Sequence, residues 1–259
     1  MVPDHAYVAP PAAVLLTLIW IAKRLEGTGR LSPCLPVHRD EGEIFRTGAK
    51  AEGETVVIGG WECRGGVPPK SARWFSITLT GENCKWLHCR GEPFRVIAAL
   101  ELYATLFGII AFMPENSGVE GCGIISGSAS TDNKGNTYSV AGLMSTKFPV
   151  NVLLMELSEQ LDKRMSWLRV DWTPREQNSL ADALTNYEYH DFDPDKRIML
   201  DPSTVKWIVL DSMIEAGGGM AEELSTLKEK RRQERKEHKE HKRRRKAKKA
   251  EALKQRDPW

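Results

Sequence analysis

The chain has 259 residues, 41% of them hydrophobic and 28% charged, with a formal net charge of +2. This apolar content suffices for one buried core of about 150 residues plus extensions and excludes a chain that is disordered throughout. The charge is unevenly placed: 16 Lys and Arg against 5 Glu lie between Lys228 and Arg256, leaving 21 basic and 30 acidic residues elsewhere, so an acidic body carries a basic tail.

In chain order, the first element is an apolar run, Ala12 to Ala22. It falls short of the ~20 residues that cross a bilayer, and Lys23-Arg24 follows the run instead of preceding it as in a signal peptide. A packed helix and no membrane partner are expected. A Gly, Pro and Arg containing stretch, Gly27 to Asp40, reads as a linker. The main domain should begin near Glu41. Ile44 to Ala49, Thr55 to Glu62 and Trp74 to Leu79 are short runs rich in Val, Ile, Trp, Phe and Thr, broken by glycine and proline, and they predict three antiparallel neighbouring strands.

The five cysteines, Cys34, Cys63, Cys84, Cys89 and Cys122, are odd in number and lack paired Cys-x-x-Cys spacing. This argues against a disulfide framework or a structural zinc site and for a reducing intracellular compartment, nuclear or cytoplasmic. Within Cys84, His88 and Cys89, the adjacent pair His88 and Cys89 would point to opposite faces if the segment were a strand.

From Glu92-Pro93 the period becomes helical as far as Met113, with Val96, Leu100, Tyr103 and Phe107 on one stripe and Glu101 beside it. A fourth strand is predicted over Gly123 to Thr131 and a short helix over Tyr138 to Met144. An amphipathic helix follows over Val150 to Met165, then a fifth strand over Trp167 to Trp172. Ser179 reads as the N-cap of a last helix holding Leu180, Asp182 and Leu184. Strand, strand, strand, helix, strand, helices, strand, helix describes an α/β domain: a five-stranded mixed sheet flanked by helices.

With that element order, Ile97-Ala98-Ala99-Leu100-Glu101-Leu102, Ser130-Thr131-Asp132-Asn133 and Asn178-Ser179-Leu180-Ala181-Asp182 together resemble the ribonuclease H domain fused to retrotransposon reverse transcriptases. The resemblance spans Glu41 to Asn186. It implies a ribonuclease H-like fold, an RNA/DNA hybrid as partner, and a polymerase domain as neighbour in a polyprotein. It also implies that Glu101, Asp132 and Asp182 are the second, third and fourth acids of a site holding two Mg²⁺ ions, with Mn²⁺ as a substitute, and that Asn133 and Asn178 lie along the nucleic acid. Paired hard cations ~3.5 to 4 Å apart neutralise both charged oxygens of a phosphodiester under attack, and oxygen ligands suit them.

The first acid of that set is missing. Where Thr-Asp-Ala is implied, the chain has Thr47-Gly48-Ala49. Glu52 shares the strand face but lies about 13 Å on, whereas the ammonium of Lys50 is close enough to reach back toward the vacated position. The family's loop histidine has no counterpart between Trp172 and Asn178; Arg175 is a cation there and also an ordinary exposed turn residue. An integrase-type relative of the same fold would need a Glu after both Asp residues. Glu156 and Glu159 follow Asp132, on a helix where a surface position explains them.

Beyond the domain, a short helix is predicted over Val205 to Ala216, ended by Gly217-Gly218-Gly219, followed by a basic helical or disordered tail. Lys242, Arg243, Arg244, Arg245 and Lys246 are its densest basic run, suited to phosphate contact or a nuclear import signal. The expected division is 1–40 helix and linker, 41–190 ribonuclease H-like domain, 191–227 extension and 228–259 basic tail. Hydrolysis of the RNA strand of a hybrid, impaired by Gly48, and noncatalytic nucleic-acid binding by the same fold and tail are the two functional expectations.

Overall fold

The structure, a computed structural model, describes residues 10–28, 37–115 and 124–254. Met1–Gly218 forms one compact unit and Gly219–Trp259 a second. Cys34, Cys122 and most of the expected linker lie outside the described residues.

One mixed sheet has the order β3-β2-β1-β4-β5, built from β1 (Val37–Glu52), β2 (Thr55–Glu62), β3 (Trp74–Leu79), β4 (Ile124–Thr131) and β5 (Ser166–Trp172). The first three strands are antiparallel; β4 runs parallel to both β1 and β5. Parallel neighbours require crossovers, supplied by α2 (Ile97–Phe112) before β4 and by α3 (Lys134–Gly142) and α4 (Val150–Lys163) before β5. The short α5 (Ser179–Thr185) packs on β1 and β2.

α2 is buried nearly all round because it lies between the sheet and α4. Along its buried stripe Leu100, Tyr103 and Phe107, Tyr103 meets Trp207 and Phe107 meets both Trp207 and Phe75 of β3, while Phe112 meets Phe45 and Phe75. Residues Pro93–Phe112 are long and apolar enough to cross a bilayer, and their burial here makes them the core helix. A smaller cluster under α5 joins Trp61, Ala72, Trp74, Ala181, Leu184 and Phe192. Phe192 and Trp207 are thus part of the packing, so the stretch after residue 190 is continuous with the domain.

The segment holding Cys84, His88 and Cys89 is a run of turns. Five local expectations are corrected. β1 begins at Val37, inside the expected linker, because its polar start pairs with β4 across an irregular register; side-chain alternation carries no trace of that pairing. α1 (Ala12–Thr28) is only partly packed: Trp20 and Arg24 reach Glu159 of α4, while Leu15, Leu18 and Leu25 remain exposed.

Glu156 is fully buried, not a surface residue. It accepts from the backbone N–H groups of Ile208, Val209 and Leu210, and thereby caps α6 (Leu210–Lys254), which starts five residues later than expected. α6 also continues through Gly217-Gly218-Gly219, where a stop is expected. A Cβ at Gly217 would come 2.8 Å from Phe148 Cε2, so that glycine permits a close approach of helix to ring instead of ending the helix.

Candidate active site

Strand alternation sends Phe45 and Thr47 toward α2 and Gly48 toward α5. Thr47 Oγ1 lies 3.4 Å from Thr105 Oγ1 on α2. Gly48 pairs across the sheet with Gly59 and, two residues beyond the Arg46 and Ser130 pair, stands level with Asp132 at the end of β4. The two glycines are not equivalent. A Cβ at Gly59 would sit 2.8 Å from Leu184 Cβ, an overlap, whereas one at Gly48 would sit 3.6 Å from Ala181 Cβ, an ordinary contact. Close seating of α5 therefore requires glycine at 59 and does not require it at 48.

Glu101 projects from α2 toward the end of β4 and is 7% exposed. Thr131 Oγ1 donates to its Oε2 at 2.9 Å. Burial, then the charge of Asp132 and a hydrogen bond with it, push the Glu101 carboxyl well above the usual carboxylate range; Asp182 adds to this and Thr131 opposes it. Asp132 Oδ1 is buried with no hydrogen-bond partner.

Asp182 faces a different neighbour. Arg175 Nε donates to its Oδ2 at 2.9 Å. That hydrogen bond and charge raise the Arg175 pKa, with further contributions from Asp132 and Glu101, so this guanidinium sits in the field of all three acids. The three carboxylates are electrostatically coupled without forming a closed cage: among the described residues, no three Asp, Glu, His or Cys side chains are gathered tightly enough to hold an ion.

The loop carrying Arg175 is tied to β1. Arg46 Nη1 donates to Gln177 O at 2.8 Å, and Asn178 Nδ2 to Thr47 O at 3.0 Å. Arg46 is itself held by Glu43 through Nε and Nη2, both at 2.9 Å, and Ser130 also donates to Glu43. Asn178, buried, is the cap residue of α5, and Ser179 is the first helical residue, which corrects the expected N-cap. Asn133 caps α3, its Oδ1 accepting from Gly135 and Asn136. Lys50 does not reach back toward Gly48: its ammonium donates to Asn186 Oδ1 at 2.9 Å and pairs with Glu52 at 2.8 Å. Lys242, Arg243 and Arg244 are exposed on α6, with Arg245 and Lys246 next in the same helix.

Two further participants are Thr131, to which the sequence motifs assign no role of its own, and Arg175, read there both as a loop cation and as an ordinary exposed turn residue. Thr131 is legible in retrospect, since alternation turns it away from Ser130 and toward α2. The pairing of Arg175 with Asp182 is not, because nothing local distinguishes this residue from an exposed turn residue.

The mixed five-stranded sheet with flanking helices is the α/β architecture that the resemblance implies. No protein-family model matches the chain, and no curated protein does. Among solved structures it is similar to RNase H1 from the halophilic archaeon Halobacterium salinarum NRC-1, at 17% identity over 58% of this chain and 99% of that one, with a TM-score of 0.37. It is also similar to LC11-RNase H1, solved in complex with an RNA/DNA hybrid, at 15% identity over 56% of this chain and 94% of that one, with a TM-score of 0.40.

Proposed function

We propose that this chain is a ribonuclease H-type domain of retroelement origin that engages RNA/DNA hybrid, with hydrolysis of the RNA strand weakened by Gly48. The observation that carries this reading is the coupling of Glu101, Asp132 and Asp182, from α2, the end of β4 and α5, beside a strand position whose missing side chain the packing does not demand. Its setting is intracellular, nuclear or cytoplasmic, and its polyprotein neighbour is a reverse transcriptase polymerase.

The donor set fits one hard cation. Glu101 and Asp132 would hold Mg²⁺ or Mn²⁺, since an all-oxygen pair with an unpartnered Asp132 Oδ1 is suited to it. Such an ion, when bound, lowers the pKa of water and neutralises phosphate charge. The chain itself keeps Glu101 buried and aligned: Thr131 orients it, and the Arg46 and Asn178 contacts hold the α5 loop against β1. Asp182 is available to a cation only when Arg175 releases it, and Gly48 has nothing with which to bridge two ions. The Arg175–Asp182 pair favours a second reading, a noncatalytic hybrid-binding module, because a guanidinium beside the acids also suits a phosphate.

A hybrid with a labelled RNA strand tests both. Binding in EDTA and slow cleavage in Mg²⁺ or Mn²⁺ that Asp132→Asn abolishes are expected, while binding without any cleavage selects the second reading. A hybrid neither bound nor cut overturns both.

A further inference from the structure

The second unit carries a charge pattern that neither reading of the carboxylate site uses. Every described side chain from Glu229 to Arg244 is exposed, so only helical geometry sets which of them share a face. At about 100° per residue, Arg231, Arg232, Arg235, Lys236, Lys239, Lys242 and Arg243 fall within one arc of about 140°, with no other residue of this stretch inside it. Glu229, Glu234, Glu237 and Glu240 all fall in the opposite arc of about 140°, together with Lys230, Gln233, His241 and Arg244. Arg244 of that arc pairs with Glu240 at 2.7 Å.

Composition alone does not produce this separation. In a solvated helix stabilised by ion pairs, acids and bases alternate around the axis. Here the acids are withdrawn from one side, which leaves seven cations along about 18 Å of helix.

We propose that α6 is a one-sided polycation that lies along the phosphate backbone of a nucleic-acid duplex as a formed helix. A duplex offers about ten phosphates over that length, so the spacing of the cations matches that of the anions. An anionic membrane is the other polyanionic surface, but interfacial helices need an apolar face, and Glu229 to Arg244 contains no apolar residue. The inference concerns affinity for duplex and stands apart from cleavage, so plain duplex DNA in EDTA tests it without the carboxylate site.

Two charge-conserving changes to the full chain separate a face from a mere charge total. Exchanging neighbours in the quadruple variant Lys236→Glu, Glu237→Lys, Lys239→Glu, Glu240→Lys keeps the net charge and creates favourable i,i+4 pairs, but takes the basic face from seven positive charges to a net three. The second change, Gln233→Pro, alters no charge and breaks the helix. Binding is measured by fluorescence anisotropy across a salt series, with helicity followed by circular dichroism.

The quadruple variant should lose about half of the salt slope contributed by the face, since the slope follows the number of phosphates neutralised, and at least tenfold in affinity at low salt. The proline variant should also weaken. Exchanging Glu229 and Lys230, both in the acidic arc, should change nothing. Wild-type binding by the quadruple variant while it remains helical, or by the proline variant, overturns the proposal. Tighter binding to vesicles containing phosphatidylserine than to duplex overturns it as well.

Discussion

Restoring an acid at position 48 asks whether one side chain separates this site from a working one. A Cβ added at Gly48 would lie 3.6 Å from Ala181 Cβ, which leaves room for the first atom of Asp. A new carboxylate nevertheless joins three coupled acids. At a separation of about 6 Å and an effective dielectric of about 20, each ionised neighbour costs about 3 kcal/mol. The Arg175 cation offsets part of this, so Gly48→Asp should melt below the unaltered protein in EDTA.

Cation binding reverses the sign. A ligand at 100 times its dissociation constant adds about 2.7 kcal/mol, and a domain of this size gains about 2–4 °C per kcal/mol, so Mn²⁺ should raise the Tm of Gly48→Asp by about 5–11 °C and the parent by less. Calorimetric scans at increasing Mn²⁺, run beside a hybrid cleavage assay, make the measurement. Because Lys50 is engaged by Glu52 and Asn186, the informative partner change is Arg175→Gln and not one at Lys50. A folded Gly48→Asp whose Tm ignores Mn²⁺, or which binds Mn²⁺ without any gain in cleavage, would refute the view that position 48 limits the site.

Other consequences are separately measurable. Arg175→Gln should free Asp182; an ion pair this exposed contributes at most about 1 kcal/mol, so calorimetry should show Mn²⁺ affinity rising by up to about fivefold, and an unchanged affinity means that Arg175 is not a competing cation. Glu156→Gln removes the charge that holds the Ile208, Val209 and Leu210 N–H groups and should cost about 2–3 kcal/mol in urea unfolding; a loss below about 0.5 kcal/mol would show that this end of α6 docks without it. Glu101 has a raised pKa, so the folded state binds more protons than the unfolded one above the ordinary value of 4.5. Its contribution is fully present below that pH and is lost as pH rises through the folded value. Metal-free stability should therefore fall from about pH 4.5 toward neutrality, and Glu101→Gln should flatten the fall; equal pH profiles for the two proteins would contradict this assignment.

Much of the architecture is legible along the chain because its signals are local. The bounds of β2 and β3 follow from β-branched and aromatic runs between glycine and proline breaks, and the helical period of residues 97–112 and 150–163 marks the crossovers that make β4 and β5 parallel. The three acidic motifs are local as well, which is why Glu101, Asp132 and Asp182 could be singled out before any geometry. The state of those acids is another matter. Whether Glu101 is buried, whether Asp182 meets a cation, and whether Gly48 is needed for packing depend on groups brought together by folding across tens of residues: Thr131, Arg175 and Ala181. Glu156 and Gly217 show the same limit. A carboxylate at a helical position looks solvated until the N–H groups of residues 208–210 close on it, and a run of glycines looks like a helix stop until Phe148 fills the space beside it. Short-range sterics and periodicity are properties of neighbouring residues, whereas burial and charge pairing are properties of the space that the folded chain encloses.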